Sequence, residues 1–334
     1  MSVLIITHTQ DNESIEMVSR EIERRGEIAI RFDTDRFPTE VQLDLLYSGD
    51  VEKLLLTQDG QQFDLSQVSG VWYRRLNVGG KIPAQMDEQF RTASIQESRV
   101  TIFGLITSLR AFHLDSIPVI RRVENKQLQL RVAREIGLDT PRTLITNQPA
   151  AVQEFALTCE AGTIAKMMAS FAIYDELGQE QVVFTNRMSA ADLDNLDGLK
   201  FCPMTFQELL PKELELRVTI VGKQVFCAAV DSQKLDNAKL DWRKEGIALI
   251  DAWYPYPLPA DVEAKLLQFM DYFGLNYGGI DIIVTPDGRY VFLEVNPVGE
   301  FFWLEIYAGL PISNAIAELL LNCSNYSNKH YLSA

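Results

Sequence analysis

The stretch Gly279 to Glu305, GIDIIVTPDGRYVFLEVNPVGEFFWLE, decides the fold. Ile280, Ile282, Ile283 and Val284 predict one strand and Tyr290 to Val295 a second, with Pro286, Asp287 and Gly288 as turn residues. Side chains alternate along a strand, so Glu294 and Asn296 leave the same face. A loop of even length centred on Asp287-Gly288 also brings Asp281 directly across from Glu294. Two carboxylates facing each other on neighbouring strands repel and weaken a hairpin. A divalent cation between them removes that conflict, and Asn296 adds a neutral oxygen. Hard oxygen ligands with positions left open for phosphate describe a Mg²⁺–nucleotide site better than a structural metal site. The competing reading is a surface hairpin with solvated acids, and a three-residue loop would turn Asp281 to the wrong face. Against it, the acids interrupt strands that are otherwise apolar.

The rest of the chain sets the frame. At 334 residues it is long enough for two or three packed subdomains, and 47% apolar content is ordinary for a globular protein. No apolar run approaches membrane-spanning length, and the N-terminal run Met1 to Thr7 lacks the basic flank of a signal peptide. Cys159, Cys202, Cys227 and Cys323 are scattered without metal spacing and read as free thiols of a reducing cytoplasm. The three histidines form no ligand pair, and no Gly-x-Ser-x-Gly elbow occurs. A net charge of −15 disfavours nucleic acid as a partner. Against that background Arg74-Arg75, Arg121-Arg122 with Lys126, and Arg243-Lys244 stand out as candidate phosphate or carboxylate sites; surface ion pairs are the alternative for each.

Residues 1–120 read as an N-terminal α/β domain. It opens with a strand at Val3 to Thr7, a helix near Asn12 to Arg25 and a strand at Ile28 to Phe32. Strands follow at Leu43 to Leu46, Lys53 to Leu56 and Val71 to Arg75, then a long helix over roughly Met86 to Phe112. A second unit, 121–200, starts with a helix near Glu124 to Ile136 stopped by Gly137. It continues with a helix after Pro149, a strand at Gly162 to Met167 carrying Lys166, a strand at Gln181 to Thr185 and a short acidic helix at Ala190 to Leu196. A lysine in an apolar strand needs an anion partner unless it points to water from an edge. The third unit, 201–322, holds a strand at Met204 to Leu209 and a hairpin turning at Gly222-Lys223. In ELRVTIVG, Glu215, Arg217 and Thr219 share one face, so the other can pack while this one lines a cleft. Asp241-Trp242-Arg243 lies in a polar loop, helices cover Ala260 to Phe273 and Ile312 to Leu321, and 323–334 read as a mobile tail.

Taken in order, Lys126, Lys166, Phe206-Gln207-Glu208-Leu209-Leu210, Glu215-Leu216-Arg217, Asp241-Trp242-Arg243, Asp281 and Glu294-Val295-Asn296 resemble the ATP-grasp ligases over roughly residues 120–322. FDTDRFP at 32–38, VWYRR at 71–75, FCPMTFQE at 201–208, DWRKEG at 241–246 and NPVGEFFWLE at 296–305 narrow the resemblance. They are similar to ligases that macrocyclise microviridin-type (graspetide) precursor peptides, and GEFFWLE most resembles the ester-forming, lactone branch. The resemblance implies an ATP-grasp fold behind an N-terminal pre-ATP-grasp domain, ATP and Mg²⁺ as cofactors, and a ribosomal precursor peptide, leader plus acidic core, as partner. It also implies a cytoplasmic homodimer. By the same resemblance, Lys126 and Lys166 contact phosphates, Gln207, Glu208, Leu209 and Leu210 line the adenine slot, and Glu215 holds ribose. Asp281, Glu294 and Asn296 would bind Mg²⁺, and Arg217 would stabilise the transferred phosphoryl group, with Arg243 as a second catalytic arginine. Arg74, Arg75 and Arg243 would converge on the acceptor carboxylate, with Asp241 near the substrate. Asp192, Asp194 and Asn195, beside Leu193 and Leu196, would read the leader, an amphipathic helix laid against those leucines; a helix whose leucines pack inward is the alternative. The chain departs from many ATP-grasp enzymes after Lys166, where MMASFAIYDELG has no glycine before Gly178 to cradle phosphate with bare backbone.

The chemistry implied is an acyl phosphate on a peptide Asp or Glu, then attack by a Thr or Ser hydroxyl. The alternatives are amide formation on a peptide Lys, a ligase for a small amino acid, and a scaffold that binds ATP for regulation. ADP release with and without a candidate peptide separates them.

Overall fold

The computed structural model describes residues 1–167, 172–174, 180–182, 185–234 and 250–322. The N-terminal apolar run forms β1 (Ser2–Thr7). It lies in a parallel sheet with β2 (Ile28–Asp33), β6 (Gly70–Tyr73) and β7 (Phe112–Leu114), in the order β2-β1-β6-β7. Parallel neighbours need crossovers, and the helices Ser14–Glu23 and Glu88–Ser108 supply two of them. Val3 and Ile5 face a core shared with the C-terminal helix Ile312–Leu321, whereas Leu4 and Ile6 face the core under Glu88–Ser108. Burial on both faces explains why this strand reads as an unbroken apolar run. Gly70 permits the approach of the C-terminal helix, since a Cβ there would lie 2.8 Å from the Leu320 carbonyl oxygen. The long helix ends at Ser108, short of the expected Phe112, and Phe112–Leu114 pairs with β6. Three residues carry too little periodicity to announce a strand; the pairing partner makes it one. A meander of β3 (Gln42–Ser48), β4 (Val51–Gln58) and β5 (Gln61–Asp64) lies beside this sheet's core.

An antiparallel sheet follows in the order β12 (Asn186–Arg187), β9 (Thr163–Lys166), β13 (Met204–Glu208), β8 (Thr143–Thr146). The helix Pro149–Leu157 packs Val152 against Phe206 of that sheet. Beyond Lys166, β10 (Ala172–Tyr174) and β11 (Glu180–Val182) pair antiparallel; Ser170 and most of the glycine-poor loop lie outside the described residues.

The last sheet is antiparallel, in the order β16 (Tyr254–Pro255), β15 (Gln224–Val230), β14 (Leu214–Val221), β17 (Tyr277–Val284), β18 (Tyr290–Asn296). Leu216, Val218 and Ile220 pack into a core with the helices Lys126–Ile136 and Ala260–Phe273. Glu215, Arg217 and Thr219 therefore point the other way, as alternation predicts. The first of those helices is capped by Asn125, whose side chain accepts from the Leu128 amide, and ends at Gly137 with φ 85°.

Candidate active site

A cleft separates the two antiparallel sheets. Ile164 and Lys166 of β9 and Gln207 and Glu208 of β13 line one wall. Glu215, Asp281, Ile283, Leu293 and Glu294 line the other, and Leu209, Leu210 and Lys212 join the walls. The cleft opens to solvent, and with the open space at its mouth included it spans about 780 Å³. Pro141, Ile164, Leu210, Ile283 and Leu293 give it an apolar lining, and Lys166, Lys212, Glu215, Asp281 and Glu294 a charged one. That mixture suits a ligand with a flat apolar ring and a charged chain.

The β17–β18 hairpin sets the acidic end. Its loop is the three-residue one, because the Thr285 amide donates to the Arg289 carbonyl at 3.0 Å and Gly288 takes the left-handed turn at φ 81°. Simple alternation would then misdirect Asp281. A β-bulge corrects it: Asp281 pairs with Glu294 and Ile282 with Phe292, leaving Leu293 as the extra residue. The even loop expected from the sequence is absent, but the carboxylate pairing it was to produce is present. The outer edge of β18 is pinned between Glu294 and Asn296 by Gln129, which the sequence reading missed. Its buried amide accepts from the Val295 N–H at 2.9 Å and donates to the Val295 carbonyl at 3.0 Å.

Each acid meets a cation here. Arg217 Nη1 donates to Asp281 Oδ1 at 2.8 Å, Lys126 Nζ donates to Glu294, and Asn296 Nδ2 lies 3.5 Å from Glu294 Oε1. Among the described residues no three His, Cys, Asp or Glu side chains gather at metal-ligand spacing. Two carboxylates and an amide oxygen nonetheless fit Mg²⁺, which keeps water and phosphate as its remaining ligands. Asp281 and Glu294 stay 26% and 20% exposed toward the cleft, so the donor set is reachable.

Arg217 stands behind Asp281, 5% exposed. Its Nη2 donates to the Glu300 carbonyl at 3.2 Å, and its guanidinium lies 5.9 Å from the Trp303 ring centre. Gly279 and Gly299 make room for it, since a Cβ at either would fall 2.3 or 2.5 Å from Arg217 Nη2. On the opposite wall Gln207 donates to Thr143 Oγ1 at 3.0 Å, Glu208 accepts from the Arg142 amide at 2.9 Å, and the Leu209 amide donates to the Gly162 carbonyl at 2.8 Å. Lys212 Nζ lies 3.1 Å from Glu215 Oε1.

Of the arginines expected at the acceptor carboxylate, Arg74 is turned into the protein. Arg74 is 1% exposed and donates to the Val298 carbonyl at 2.9 Å, the Gly299 carbonyl at 3.2 Å and Glu300 Oε2 at 2.9 Å. A guanidinium so enclosed has no face left for a peptide carboxylate, contrary to the expected substrate role of Arg74. Arg75 stays half exposed beside Asp11 and Glu300. Arg243 and Asp241 lie outside the described residues. Glu300, within NPVGEFFWLE, is held by Arg74, Arg75 and Asn12, partners that nothing local in the sequence marks. Asp115 was missed as well: it is buried and accepts from the Asn276 and Tyr277 amides at 3.0 and 2.9 Å, fixing the start of β17. Burial pushes its carboxyl up to about 7 despite those donors.

The acidic helix spans Ala190–Asp194, and Leu193 and Leu196 pack inward against Val152, Leu199 and Phe206. The expected apolar docking face on those leucines is therefore occupied by the protein's own core. Asp192 closes a capping box with Ser189, whose hydrogen bonds hold its carboxyl below the usual range. Asp192 and Asn195 do rim an open groove with Arg187, Met188, Cys202 and Met204.

Residues 2–121 match the family model described as the MvdD pre-ATP grasp domain. The macrocyclase MdnC of Microcystis aeruginosa MRC, solved with the precursor peptide MdnA, is 53% identical at a TM-score of 0.88, covering 96% of this chain and 100% of that one. The chain belongs to the microviridin-type macrocyclase family of ATP-grasp ligases. A RiPP-associated ATP-grasp ligase of Chryseobacterium gregarium, solved with ADP and a leader and core peptide, is 41% identical at a TM-score of 0.92, with 96% of each chain covered. The macrocyclase MdnB of Microcystis aeruginosa MRC is 38% identical at a TM-score of 0.80, covering 96% of this chain and 99% of that one. No curated protein matches the chain. As a member of this macrocyclase family it is an ADP-forming ATP-grasp carboxylate ligase. Among the described residues no helix is long and apolar enough to cross a membrane.

Proposed function

We propose that this macrocyclase closes ω-ester rings in a ribosomal precursor peptide, with ATP as phosphoryl donor. The observation that carries this reading is the facing pair Asp281 and Glu294 at the charged end of a cleft that also has an apolar lining, with Arg217 directly behind Asp281. A carboxylate is a poor acylating agent because its oxygen does not leave. Attack of a peptide Asp or Glu oxygen on the γ-phosphorus of ATP breaks the bond to ADP and gives an acyl phosphate. A Thr or Ser hydroxyl then attacks the acyl carbon, its proton passes to solvent, and inorganic phosphate departs with the former carboxylate oxygen. Catalysis of such transfers is mainly positioning and charge stabilisation.

The residues divide that work. Pro141, Ile164, Leu210 and Ile283 enclose the adenine beside Gln207, Glu208 and Leu209, and Glu215 reaches the ribose. Lys166 and Lys126 hold phosphate oxygens; Lys126 exchanges its bond to Glu294 for them. Asp281, Glu294 and Asn296 hold Mg²⁺, which when bound neutralises phosphate charge. Arg217 steadies the moving phosphoryl group, and Arg75, with Arg243 and Asp241, meets the core peptide. Asp192 and Asn195 bind the leader along the groove at the acidic helix, a place separate from the cleft, so one enzyme can serve varied cores. A soluble cytoplasmic homodimer belongs to the same reading by family resemblance.

The test is the mass of a precursor peptide, with MdnA as the probe, after incubation with ATP and Mg²⁺. Loss of one water per ring, reversed by mild alkali, is expected of esters. Rings that survive alkali would assign amide formation instead, and an unchanged mass with unstimulated ADP release would contradict the macrocyclase.

A further inference from the structure

Arg74 and Glu300 do not line the nucleotide cleft, yet both bear on the arginine behind it. Arg217 is fixed by two acceptors, Asp281 Oδ1 and the main-chain oxygen of Glu300. The first belongs to β17, where Asp281 pairs with Glu294 of β18. The second belongs to the segment Val298–Glu300, which follows the last strand and has no sheet partner to define it. That segment is held by side chains from elsewhere. Arg74, at the end of β6 in the N-terminal sheet, donates to the carbonyls of Val298 and Gly299 and to the Glu300 carboxylate. Tyr277 Oη donates to the Gly299 carbonyl at 2.6 Å, Asn12 shares Glu300 Oε2 with Arg74, and Arg75 meets Glu300 Oε1.

We infer that Arg74 and Glu300 are positioning residues that set the angle of the Arg217 guanidinium through the Val298–Glu300 segment. A buried arginine is tolerated only when its partners are in place, because an uncompensated buried charge is costly. The Arg74 cation therefore admits one arrangement of two carbonyls and one carboxylate, and that arrangement places the Glu300 oxygen 3.2 Å from Arg217 Nη2. Gly299 tightens the coupling, since its missing side chain lets Arg217 lie against the segment. The same contacts could act only as glue between the N-terminal sheet and the C-terminal sheet, and the two roles differ in how they combine with loss of Arg217. The inference rests on the reading of Arg217 as the phosphoryl stabiliser.

The experiment is a double-mutant cycle on ADP release, with ATP, Mg²⁺ and the MdnA peptide as probe. Glu300→Gln and Arg74→Lys are each expected to lower kcat on the order of tenfold or more while the KM for ATP holds, because a small misplacement near the reacting group is expensive in rate. In an Arg217→Ala background Glu300→Gln should bring no further loss, since residues acting as one unit are not additive. Equal fractional loss in both backgrounds would make the contacts glue and overturn the inference. Tyr277→Phe removes one hydrogen bond to the segment without touching charge, and a kcat decrease with an unchanged KM for ATP is expected there too, alongside the small loss of melting temperature that one buried hydrogen bond brings. If Arg217→Ala lowers kcat but Glu300→Gln, Arg74→Lys and Tyr277→Phe do not, the positioning role fails while the Arg217 reading stands. If Arg217→Ala keeps full kcat, the Arg217 reading itself has failed.

Discussion

Replacing Gly279 with alanine probes the Arg217 site without removing any functional group. The position is in the middle of β17, where alanine adopts the backbone freely. Its Cβ would sit 2.3 Å from Arg217 Nη2 and 2.6 Å from Cζ. To reach an ordinary contact near 3.4 Å the guanidinium must retreat by about 1 Å. It has little freedom to do so, being 5% exposed and fixed to Asp281 at 2.8 Å. A shift of that size breaks the ion pair or pulls Asp281 with it. Misplacement on this scale costs on the order of a hundredfold in kcat, about 2.7 kcal/mol of transition-state stabilisation. Overpacking removes a further ~1–3 kcal/mol of fold stability. The assay is steady-state ADP release with MdnA as probe, alongside thermal melting. The KM for ATP should change little, because the nucleotide's apolar contacts lie away from Gly279. A folded Gly279→Ala enzyme with wild-type kcat would refute the claim that the Arg217 position matters to the chemistry.

Glu294→Gln should abolish turnover while circular dichroism stays native; normal activity at ordinary Mg²⁺ would remove Glu294 from the ion site. Asn195→Ala should weaken leader affinity by about 1–3 kcal/mol in a peptide titration without altering ATP binding, whereas Asp192→Ala should also loosen its helix through the lost capping box. Equal affinity of both variants and wild type would move leader recognition to another surface. Asp115 titrates higher folded, at about 7, than its ordinary 3.8. Its contribution is therefore fully present below the lower value and is lost as pH rises through the upper one. The melting-temperature advantage of wild type over Asp115→Asn should shrink from pH 5 to pH 8, and a growing advantage would reverse the assignment.

The sequence exposed what depends on local period and on residue chemistry. Alternation in ELRVTIVG separated the apolar face of β14 from its polar face, although only Glu215 of the polar face lines the cleft while Arg217 and Thr219 are buried. Gly137 marked its helix end, and each signal is carried by a few adjacent residues. The acidic pair across β17 and β18 was legible as well, although through the wrong loop; a bulge at Leu293 depends on pairing that a single strand's sequence does not record. Arg74 shows the limit on long-range contacts. Paired arginines at a strand end look alike whether they meet a ligand or the protein's own carbonyls more than two hundred residues away. Gln129 and Asp115 were invisible for the same reason, their partners being backbone groups at 276, 277 and 295. Leu193 and Leu196 were ambiguous because a short amphipathic helix offers the same pattern to a core and to a partner.

The central claim is that the peptide carboxylate is activated as an acyl phosphate before ring closure. It is tested most directly by labelling the side-chain carboxylates of a precursor peptide, MdnA as the probe, with oxygen-18 and following the label through one round of cyclisation. One labelled oxygen is expected in inorganic phosphate for every ring formed, with ADP as the nucleotide product. Label found in AMP, or retained wholly in the peptide while rings form, would contradict it.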